Sequence, residues 1–381
     1  MTDDVHVVGA AMIPMGRYRE ATYPGLAIPP VLDALADAGL ERRDVQAIYC
    51  GNSYGGMLVG QRIASQAGLG GVPIVNVENA CSGGATALRL AYLAVAQQQC
   101  SVAVVVGVDR LTQFGGGTIP LVAEDWEVSR GMVMPALYAM RARRYLHERS
   151  VGVETLGRVS VKARSHGACN PYAQFRSEVS LEEVLGSRMI ADPLTLLQCC
   201  PTGDGAAALV VVSDEVKRRL GTPGARIRAS VLHSGTFVGG FRDMLRPEIT
   251  YHSAEDAYQA AGAGPDDLDV VELHDAFTVA ELVYYEALQL CAPGESAAML
   301  ESGASTYGGR TVVNPSGGLL AKGHPIGASG AAQAVEMFWQ LTERAGPRQV
   351  PGARMGLTHV TGGGISGLDH GSCAVHIFER S

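Results

Sequence analysis

The chain has 381 residues, of which 47% are hydrophobic and 18% are charged, and its formal net charge is −8. This composition is sufficient to bury a large core, and the acidic balance makes nucleic acid and anionic membrane surfaces poor partners. No apolar run reaches the roughly 18 residues that a membrane-spanning helix needs, so we expect no membrane segment.

The N-terminus and the cysteines indicate the cellular compartment. The acidic N-terminus leads directly into a strand-like run and lacks the features of a signal peptide. The eight cysteines form no C-x-x-C pair and show no zinc-ligand spacing. We therefore expect a cytoplasmic protein with reduced thiols and no metal site.

A helix followed by a polar linker and a strand occurs twice. Residues 31–39 have helical spacing and precede the strand-like run 45–50, and the same order returns at 254–262 and 268–273. Each helix ends at a glycine, as helices with a left-handed C-cap do. The repeated order indicates an internal duplication.

Further elements extend this duplication. The strand and helix within 72–94 have counterparts within 311–338, and the strand 205–212 has a counterpart at 371–378. We predict an α/β protein of two halves, 1–220 and 221–381, with parallel-rich sheets covered by helices. Residues 112–195 have no equivalent in the second half and are interpreted as an insertion of helices and loops over the site.

Cys81 lies on a glycine-rich turn, 79–86, between the strand-like run 72–77 and the helix-like run 85–94. Backbone N–H groups and the helix dipole at such a turn are expected to lower the pKa of the thiol and make it a nucleophile. A thioester on this cysteine would exchange readily. The alternative is a structural cysteine at a tight turn.

Three histidines are placed to meet Cys81. His274 follows the strand 268–273, His324 lies in the glycine-dense loop 314–330, and His359 is predicted to open a loop over 360–367. Ligands of α/β sheets bind beyond the carboxyl ends of the strands, where these loops would converge. Histidine supplies a base near neutral pH and N–H donors for an oxyanion. The alternative for each is a hydrogen-bonded loop histidine without a catalytic role.

These motifs together resemble the thiolase superfamily, nearest to the thiolases related to sterol carrier protein 2 and to archaeal acetyl-CoA acetyltransferases. The resemblance covers almost the whole chain. It rests on the segments at 79–84, 203–207, 274–277, 314–318 and 323–325, which read NACSGG, GDGAA, HDAF, NPSGG and GHP. It implies a five-layered αβαβα fold built from two duplicated halves.

The resemblance also implies site roles. Acyl transfer would pass through Cys81, with His324 as its activating partner and an oxyanion-hole donor. His274 would hold a catalytic water and shape a second oxyanion hole. The substrate would be a coenzyme A thioester with no tightly bound cofactor, the assembly a homodimer, and a small zinc-containing OB-fold companion subunit a plausible partner.

Coenzyme A is a polyanion that should meet basic or hydrogen-bonding groups. Within the insertion, Lys162, Arg164 and His166 are candidates for binding it, unless they form a solvated surface. Ser316 and Gly317 are further candidates in the loop before His324.

The family pattern breaks at the second catalytic cysteine. Val360 occupies one family position for that thiol and Ala276 the other, and neither side chain transfers a proton. Cys291 and Cys373 are interpreted as packing residues. His359 is our candidate replacement acid/base, and a substrate group or a water held by His274 is the alternative.

Three functions remain open. The first is an enzyme that makes or cleaves a C–C bond at a bulky, aromatic or branched 3-oxoacyl-CoA through an acyl-Cys81 intermediate. The second is a retro-aldol lyase acting on an acyl-CoA, although such relatives typically lack the nucleophilic cysteine. The third is a non-catalytic acyl-CoA or lipid-binding subunit. Met134 and Tyr138 are candidates for an acyl pocket, or else belong to the core.

Overall fold

The computed structural model describes residues 4–237, 242–364 and 369–381. The strands are β1 (Val5–Met12), β2 (Ala47–Gly51), β3 (Ile74–Val77), β4 (Val102–Arg110), β5 (Met189–Ala191), β6 (Leu194–Thr195), β7 (Asp204–Ser213), β8 (Ala225–His233), β9 (Val270–Glu272), β10 (Val312–Val313), β11 (Met355–Gly362) and β12 (Ser372–Arg380).

The α-helices are α1 (Tyr23–Ala38), α2 (Val59–Ala67), α3 (Gly83–Ala96), α4 (Met134–Arg149), α5 (Val153–Ala168), α6 (Leu181–Gly186), α7 (Asp214–Leu220), α8 (Glu248–Ala261), α9 (Thr278–Ala287), α10 (Ser296–Glu301), α11 (Gly318–Ala321) and α12 (Ile326–Leu341). None of the helices in the described ranges combines the length and apolarity needed to cross a membrane.

The strand order shows the internal duplication. Ten strands form one sheet in the order β10-β9-β11-β12-β8-β1-β7-β4-β2-β3. From the centre of the sheet outward, the first half contributes β1, β7, β4, β2 and β3, and the second half contributes β8, β12, β11, β9 and β10. Strands at the same place in the two lists follow the same order along the chain within each half, so they correspond to each other. Within the described residues, β1 and β8 pair at the centre of the sheet through His6 with Arg226 and Val7 with Ala225.

The sheet is mixed, which corrects the parallel-rich prediction. The outer strands pair in parallel, as in β2 with β3 and β4, and in β9 with β10 and β11. The inner strands β7 and β12 are antiparallel to both of their neighbours. β7 follows the insertion, and β12 begins ten positions after the end of β11.

Helices divide the molecule into five layers. α1 and α2 share a buried cluster with one face of the first half-sheet. α3 and α12 contact each other and pack between the two half-sheets. α8 and α9, with α4 and α5 of the insertion, cover the outer face of the second half-sheet. The predicted αβαβα layering is confirmed.

Both predicted glycine caps are present at equivalent helix ends. Gly39 ends α1 with φ of 69°, and Gly262 ends α8 with φ of 63°, both in the left-handed region that glycine adopts without strain. The same chain reversal therefore directs each helix into its following strand.

Candidate active site

Cys81 sits on a sharp turn between β3 and α3. Ala80 adopts φ of 46°, a left-handed conformation that is uncommon for a residue with a Cβ. The Ser82 N–H donates to the Asn79 carbonyl at 3.1 Å, and the Ser53 hydroxyl donates to the Ala80 carbonyl at 3.1 Å. The turn resembles a nucleophile elbow, in which a strained strand-to-helix corner presents the reactive side chain.

Glycines allow the start of α12 to approach this turn closely. A Cβ on Gly84 would lie 2.7 Å from the Gly327 carbonyl oxygen, and a Cβ on Gly107 would lie 2.6 Å from the same atom. Larger residues at these positions would separate α12 from α3 and β4. Since α12 follows directly on the GHP segment, this contact sets the distance between the loops of Cys81 and His324.

Asp109, at the end of β4, connects the same loops. Its carboxylate accepts hydrogen bonds from the N–H groups of Ser53, Tyr54 and Gly327 at 3.1, 3.1 and 2.6 Å, and from the Tyr23 hydroxyl at 3.1 Å. Burial raises the pKa of Asp109 to about 6, although these donors favour the charged form. The carboxylate therefore holds the loop beside Cys81 against the first turn of α12.

His324 is held in one tautomer. Gly323 precedes it with φ of 110°. The His324 Nδ1 lies 2.7 Å from the Ser329 hydroxyl, which donates its single proton to the Pro325 carbonyl at 2.9 Å. Nδ1 must therefore carry the ring proton and donate to Ser329, which leaves Nε2 as a free base. Burial, followed by Lys322, lowers the pKa of His324 to about 4.

His274 is positioned through its neighbour Asp275. The Asp275 carboxylate accepts from the Leu319 N–H at 2.6 Å and from the Leu320 N–H at 3.4 Å, and so joins the His274 loop to α11. Burial raises the pKa of Asp275 to about 8. Burial also lowers the pKa of His274 far below its usual value, and its Nδ1 has no partner among the described residues.

The structure brings Cys81, His274 and His324 together. The Cys81 sulfur and one ring nitrogen from each histidine lie within 4.8 Å of one another, and the two rings meet edge to face at 5.1 Å. A thiol, a free imidazole base and a second imidazole are the groups that acyl transfer requires. One sulfur and two imidazoles are also a donor set that a zinc ion accepts.

The predicted lowering of the Cys81 pKa is wrong. Burial raises the pKa of the thiol to about 12, and hydrogen bonds from the N–H groups of Gly363 and of Cys81 itself oppose this only in part. Asp109 and Glu78, both acidic, also act to raise this pKa. The thiol therefore rests in its neutral form, and forming the thiolate requires a base such as Nε2 of His324.

His359 lies inside β11, so the prediction that it opens a loop is wrong. Strand alternation turns Val360 towards Cys81, where it packs with Ala85. His359 points the opposite way: its Nε2 is 3.0 Å from the Thr250 hydroxyl. Burial lowers its pKa to about 3. Residues 365–367 of the predicted loop lie outside the described residues.

Two of the residues expected to bind coenzyme A have buried internal partners instead. Lys162 Nζ pairs with Glu281 at 2.7 Å and also donates to the Val313 carbonyl at 3.0 Å. His166 Nδ1 is 2.9 Å from the Asn314 carbonyl. Both side chains are thus satisfied within the protein and are not free for a phosphate.

The other three candidates are also buried in internal contacts. Arg164 donates to the Ser177 carbonyl at 2.9 Å and to the Ser177 hydroxyl at 3.1 Å. The Ser316 hydroxyl donates to Glu272 at 2.7 Å. A Cβ on Gly317 would lie 2.7 Å from Gly167 Cα. The contacts of Ser316 and Gly317 support the loop that carries His324. None of the three residues offers an open surface to a ligand.

Several buried histidines predict a steep loss of stability in acid. Burial lowers the pKa of four of them to about 3 or 4, namely His166, His324, His359 and His376. The unfolded chain binds these protons below about pH 6.5 and the folded chain does not, so stability falls as pH drops from 6.5 towards 4.

At pH 5 each of these histidines is expected to remove about 2 kcal/mol from the free energy of unfolding. Asp109 and Asp275, whose pKa values are raised, act in the opposite direction. The net loss should therefore be a few kcal/mol between pH 7 and pH 5, seen as a lower urea midpoint. An unchanged midpoint would contradict this electrostatic description.

Sequence reasoning missed the residues that support the site. Ser329, five residues after His324, hydrogen-bonds to its ring. Asp109, which is far along the chain from both of its contacts, holds the loop beside Cys81 against Gly327. The only available signal for Ser329 was its position in the glycine-dense segment after the GHP motif. Nothing in the sequence indicated that Asp109 faces Gly327.

Comparison with known proteins identifies the family. The model of the thiolase N-terminal domain matches residues 5–215, and that of the thiolase C-terminal domain-like family matches residues 233–377. A benzoylsuccinyl-CoA thiolase subunit, BbsB, from Thauera aromatica is 43% identical over 94% of this chain and 95% of its own length. An acetyl-CoA acetyltransferase from Methanothermobacter thermautotrophicus is 38% identical over 99% of this chain and 100% of its own length.

A solved structure, described as the Ltp2-ChsH2(DUF35) aldolase, superposes with a TM-score of 0.85 at 28% identity and covers 98% of both chains. Vertebrate sterol carrier protein 2 is also among the relatives. The resemblance drawn from the motifs is therefore confirmed, and both subgroups named with it are among the relatives.

Proposed function

We propose a specific activity on the premise that this chain belongs to the thiolase family of acyltransferases, which act on coenzyme A thioesters. The chain makes or cleaves the C2–C3 bond of a 3-oxoacyl-CoA through an acyl-Cys81 intermediate. The observation that carries this proposal is the cluster of the Cys81 sulfur with a ring nitrogen each from His274 and His324, together with the Nε2 of His324 that the Ser329 contact leaves free. A binding subunit would need neither a nucleophile nor a base.

In the cleavage direction, His324 Nε2 takes the Cys81 proton and the thiolate attacks the C3 carbonyl. The N–H groups of Cys81 and Gly363, which both point at the sulfur, are placed to stabilise an oxyanion on a carbonyl bound there. The C2–C3 bond breaks, and its electron pair leaves as an enolate that a protein acid must protonate. Coenzyme A then takes the acyl group from Cys81.

The substrate class follows from the relatives and the apolar surroundings of Cys81. The 43% identity to a protein named benzoylsuccinyl-CoA thiolase subunit supports a bulky, aromatic or branched 3-oxoacyl group. Val360 and Ala276, where relatives carry a thiol, give the site an apolar lining that suits such a group. The acid/base is therefore not a second cysteine at either family position.

We also propose an assembly for this chain. β3 is an edge strand of the sheet, and its Val75 is 42% exposed, so a second copy would cover an unpaired edge in a homodimer. A relative named as a subunit and a two-component aldolase both support a small companion protein. The cysteines form no disulfide in the described ranges, which suits a cytoplasmic location.

One assay separates this proposal from the retro-aldol alternative that the aldolase structure favours. The enzyme is mixed with coenzyme A and benzoylacetyl-CoA, and the products are resolved by mass spectrometry. We expect benzoyl-CoA and acetyl-CoA in equal amounts, with one coenzyme A consumed per cleavage. Cleavage of a 3-hydroxyacyl-CoA without coenzyme A, and none of the 3-oxo substrate, would establish the lyase instead.

A further inference from the structure

The site described so far lacks a group to protonate the enolate or to remove the α-proton. Val360 packs beside Cys81, and Ala276 is buried among apolar side chains. His324 is already assigned to the thiol and His274 to the oxyanion. A second proton-handling group would therefore come from other side chains near Cys81.

A buried polar network lies close to this part of the site. The Tyr138 hydroxyl is 3.0 Å from His370 Nε2, and His370 Nδ1 is 3.4 Å from Asp369. Asp369 in turn accepts from Arg141 at 2.6 Å. All four side chains are at least nine-tenths buried, although each is ionisable. Burying such groups costs free energy unless they are paired, and clusters of them are typical of functional sites.

Three contacts place the first turns of α4, which carry Tyr138, near the loops of the Cys81 site. The Tyr138 ring stacks on Phe277 of the HDAF segment with centroids 4.5 Å apart. Gly363 donates its N–H to the Cys81 sulfur, and a Cβ on the following Gly364 would lie 3.7 Å from Met134 at the start of the Tyr138 helix. The first turns of α4 therefore pack over the loop that covers Cys81.

The network has the order of a proton relay. Because Asp369 carries a negative charge and faces His370 Nδ1, that nitrogen is the one that holds the ring proton, and Nε2 accepts from Tyr138. Arg141 and His370 hold the pKa of Asp369 below its usual range, against the effect of burial. In the described residues Arg141 Nη1 has no hydrogen-bond partner, and His370 Nδ1 and Asp369 Oδ2 lie at an ion-pair distance of 3.4 Å without the geometry of a hydrogen bond, so the cluster is not fully satisfied by packing alone.

Given the proposed thiolase activity, we infer that Tyr138 is the acid/base that acts on the α-carbon, with His370 and Asp369 as its relay. In the condensation direction the α C–H bond breaks and its proton passes to Tyr138 Oη. The Tyr138 proton passes at the same time to His370 Nε2, and the resulting imidazolium pairs with Asp369. The electron pair stays on the substrate as an enolate facing His274 and His324. Cleavage runs the same transfer in reverse.

The test separates proton transfer from acylation. Acetyl-CoA is incubated with the enzyme in D₂O, and two rates are followed: deuterium entry at the acetyl group and acetylation of Cys81. Tyr138→Phe is expected to lower deuterium exchange by about 100-fold or more while acetylation stays within about threefold. His370→Asn, which removes the relay base, should show the same split.

Tyr145→Phe is the matched control, since Tyr145 is a buried tyrosine of the same helix whose hydroxyl bonds to Ser296 outside the network. It should leave both rates unchanged. Equal exchange in Tyr138→Phe and Tyr145→Phe, or an equal fall of exchange and acetylation in Tyr138→Phe, would overturn the inference. A wild-type enzyme that is never acylated would overturn the proposed function itself.

Discussion

Replacing Cys81 with alanine is expected to lower turnover by at least about 10⁴-fold, because the reaction loses the atom that carries the acyl group. The fold should remain intact. Ala80 and Ser82 hold the turn through their backbone, and alanine accepts the Cys81 conformation. Turnover is measured as thiolysis of benzoylacetyl-CoA, with the thermal midpoint recorded in parallel.

Cys169→Ala is the control for this prediction, since Cys169 is an exposed free cysteine. It should retain wild-type turnover. Comparing the turnover of the two variants distinguishes the effect of removing any one thiol from the effect of removing the nucleophile. Turnover within tenfold of wild type in Cys81→Ala would remove Cys81 from the mechanism and leave the chain without an acyl carrier.

Replacing His324 with glutamine is expected to slow acylation of Cys81 by about 10² to 10⁴-fold. An amide of similar size can still donate a hydrogen bond to the oxyanion, but it cannot take the thiol proton. Since burial raises the pKa of Cys81 to about 12, almost no thiolate forms at neutral pH without a base. The rate is measured by rapid quenching and mass analysis of the acyl adduct.

Ser329→Ala provides the graded comparison. It removes the acceptor that fixes the proton on His324 Nδ1, so the ring samples the tautomer whose Nε2 is protonated and inactive. We expect a loss of about tenfold, smaller than that of His324→Gln. A Ser329→Ala variant slower than His324→Gln, or an unchanged rate in the latter, would contradict the assignment of Nε2 as the base.

The Cys81 turn, the paired helix caps and the convergence of the His274 and His324 loops could be predicted from the sequence. Each depends on local features, such as a glycine cluster at a strand end, a glycine after a helix, or the rule that loops meet at the carboxyl edge of a sheet. The duplication was also visible, because helix, linker and strand recur in the same order in both halves.

What failed depends on contacts between distant residues. Lys162 was predicted to bind coenzyme A or to lie on a solvated surface, but it pairs with Glu281, more than a hundred residues later in the chain. The direction of the Cys81 pKa depends on how much water the surrounding layers exclude, which no local motif reports. Whether His359 lies in a strand or in a loop depends on where β11 ends. The glycines at 362–364 suggested that the strand ends before His359, but it continues to Gly362.

The Tyr138 network illustrates the same limit. Tyr138 and His370 are separated by 232 positions, and Arg141 and Asp369 by 228. Only the packing of the insertion against the second half brings them together. Tyr138 was considered as a pocket or core residue, and its hydroxyl partner lay in a segment without any recognised motif.

The most direct measurement is the intact mass of the wild-type chain and of Cys81→Ala after mixing with acetyl-CoA, succinyl-CoA and benzoyl-CoA. Our account predicts a gain of one acyl group on the wild type with at least one of these thioesters, on the peptide that contains Cys81, and no gain on the variant. An equal gain on both proteins, or none on the wild type with any thioester, would contradict the acyl-Cys81 intermediate.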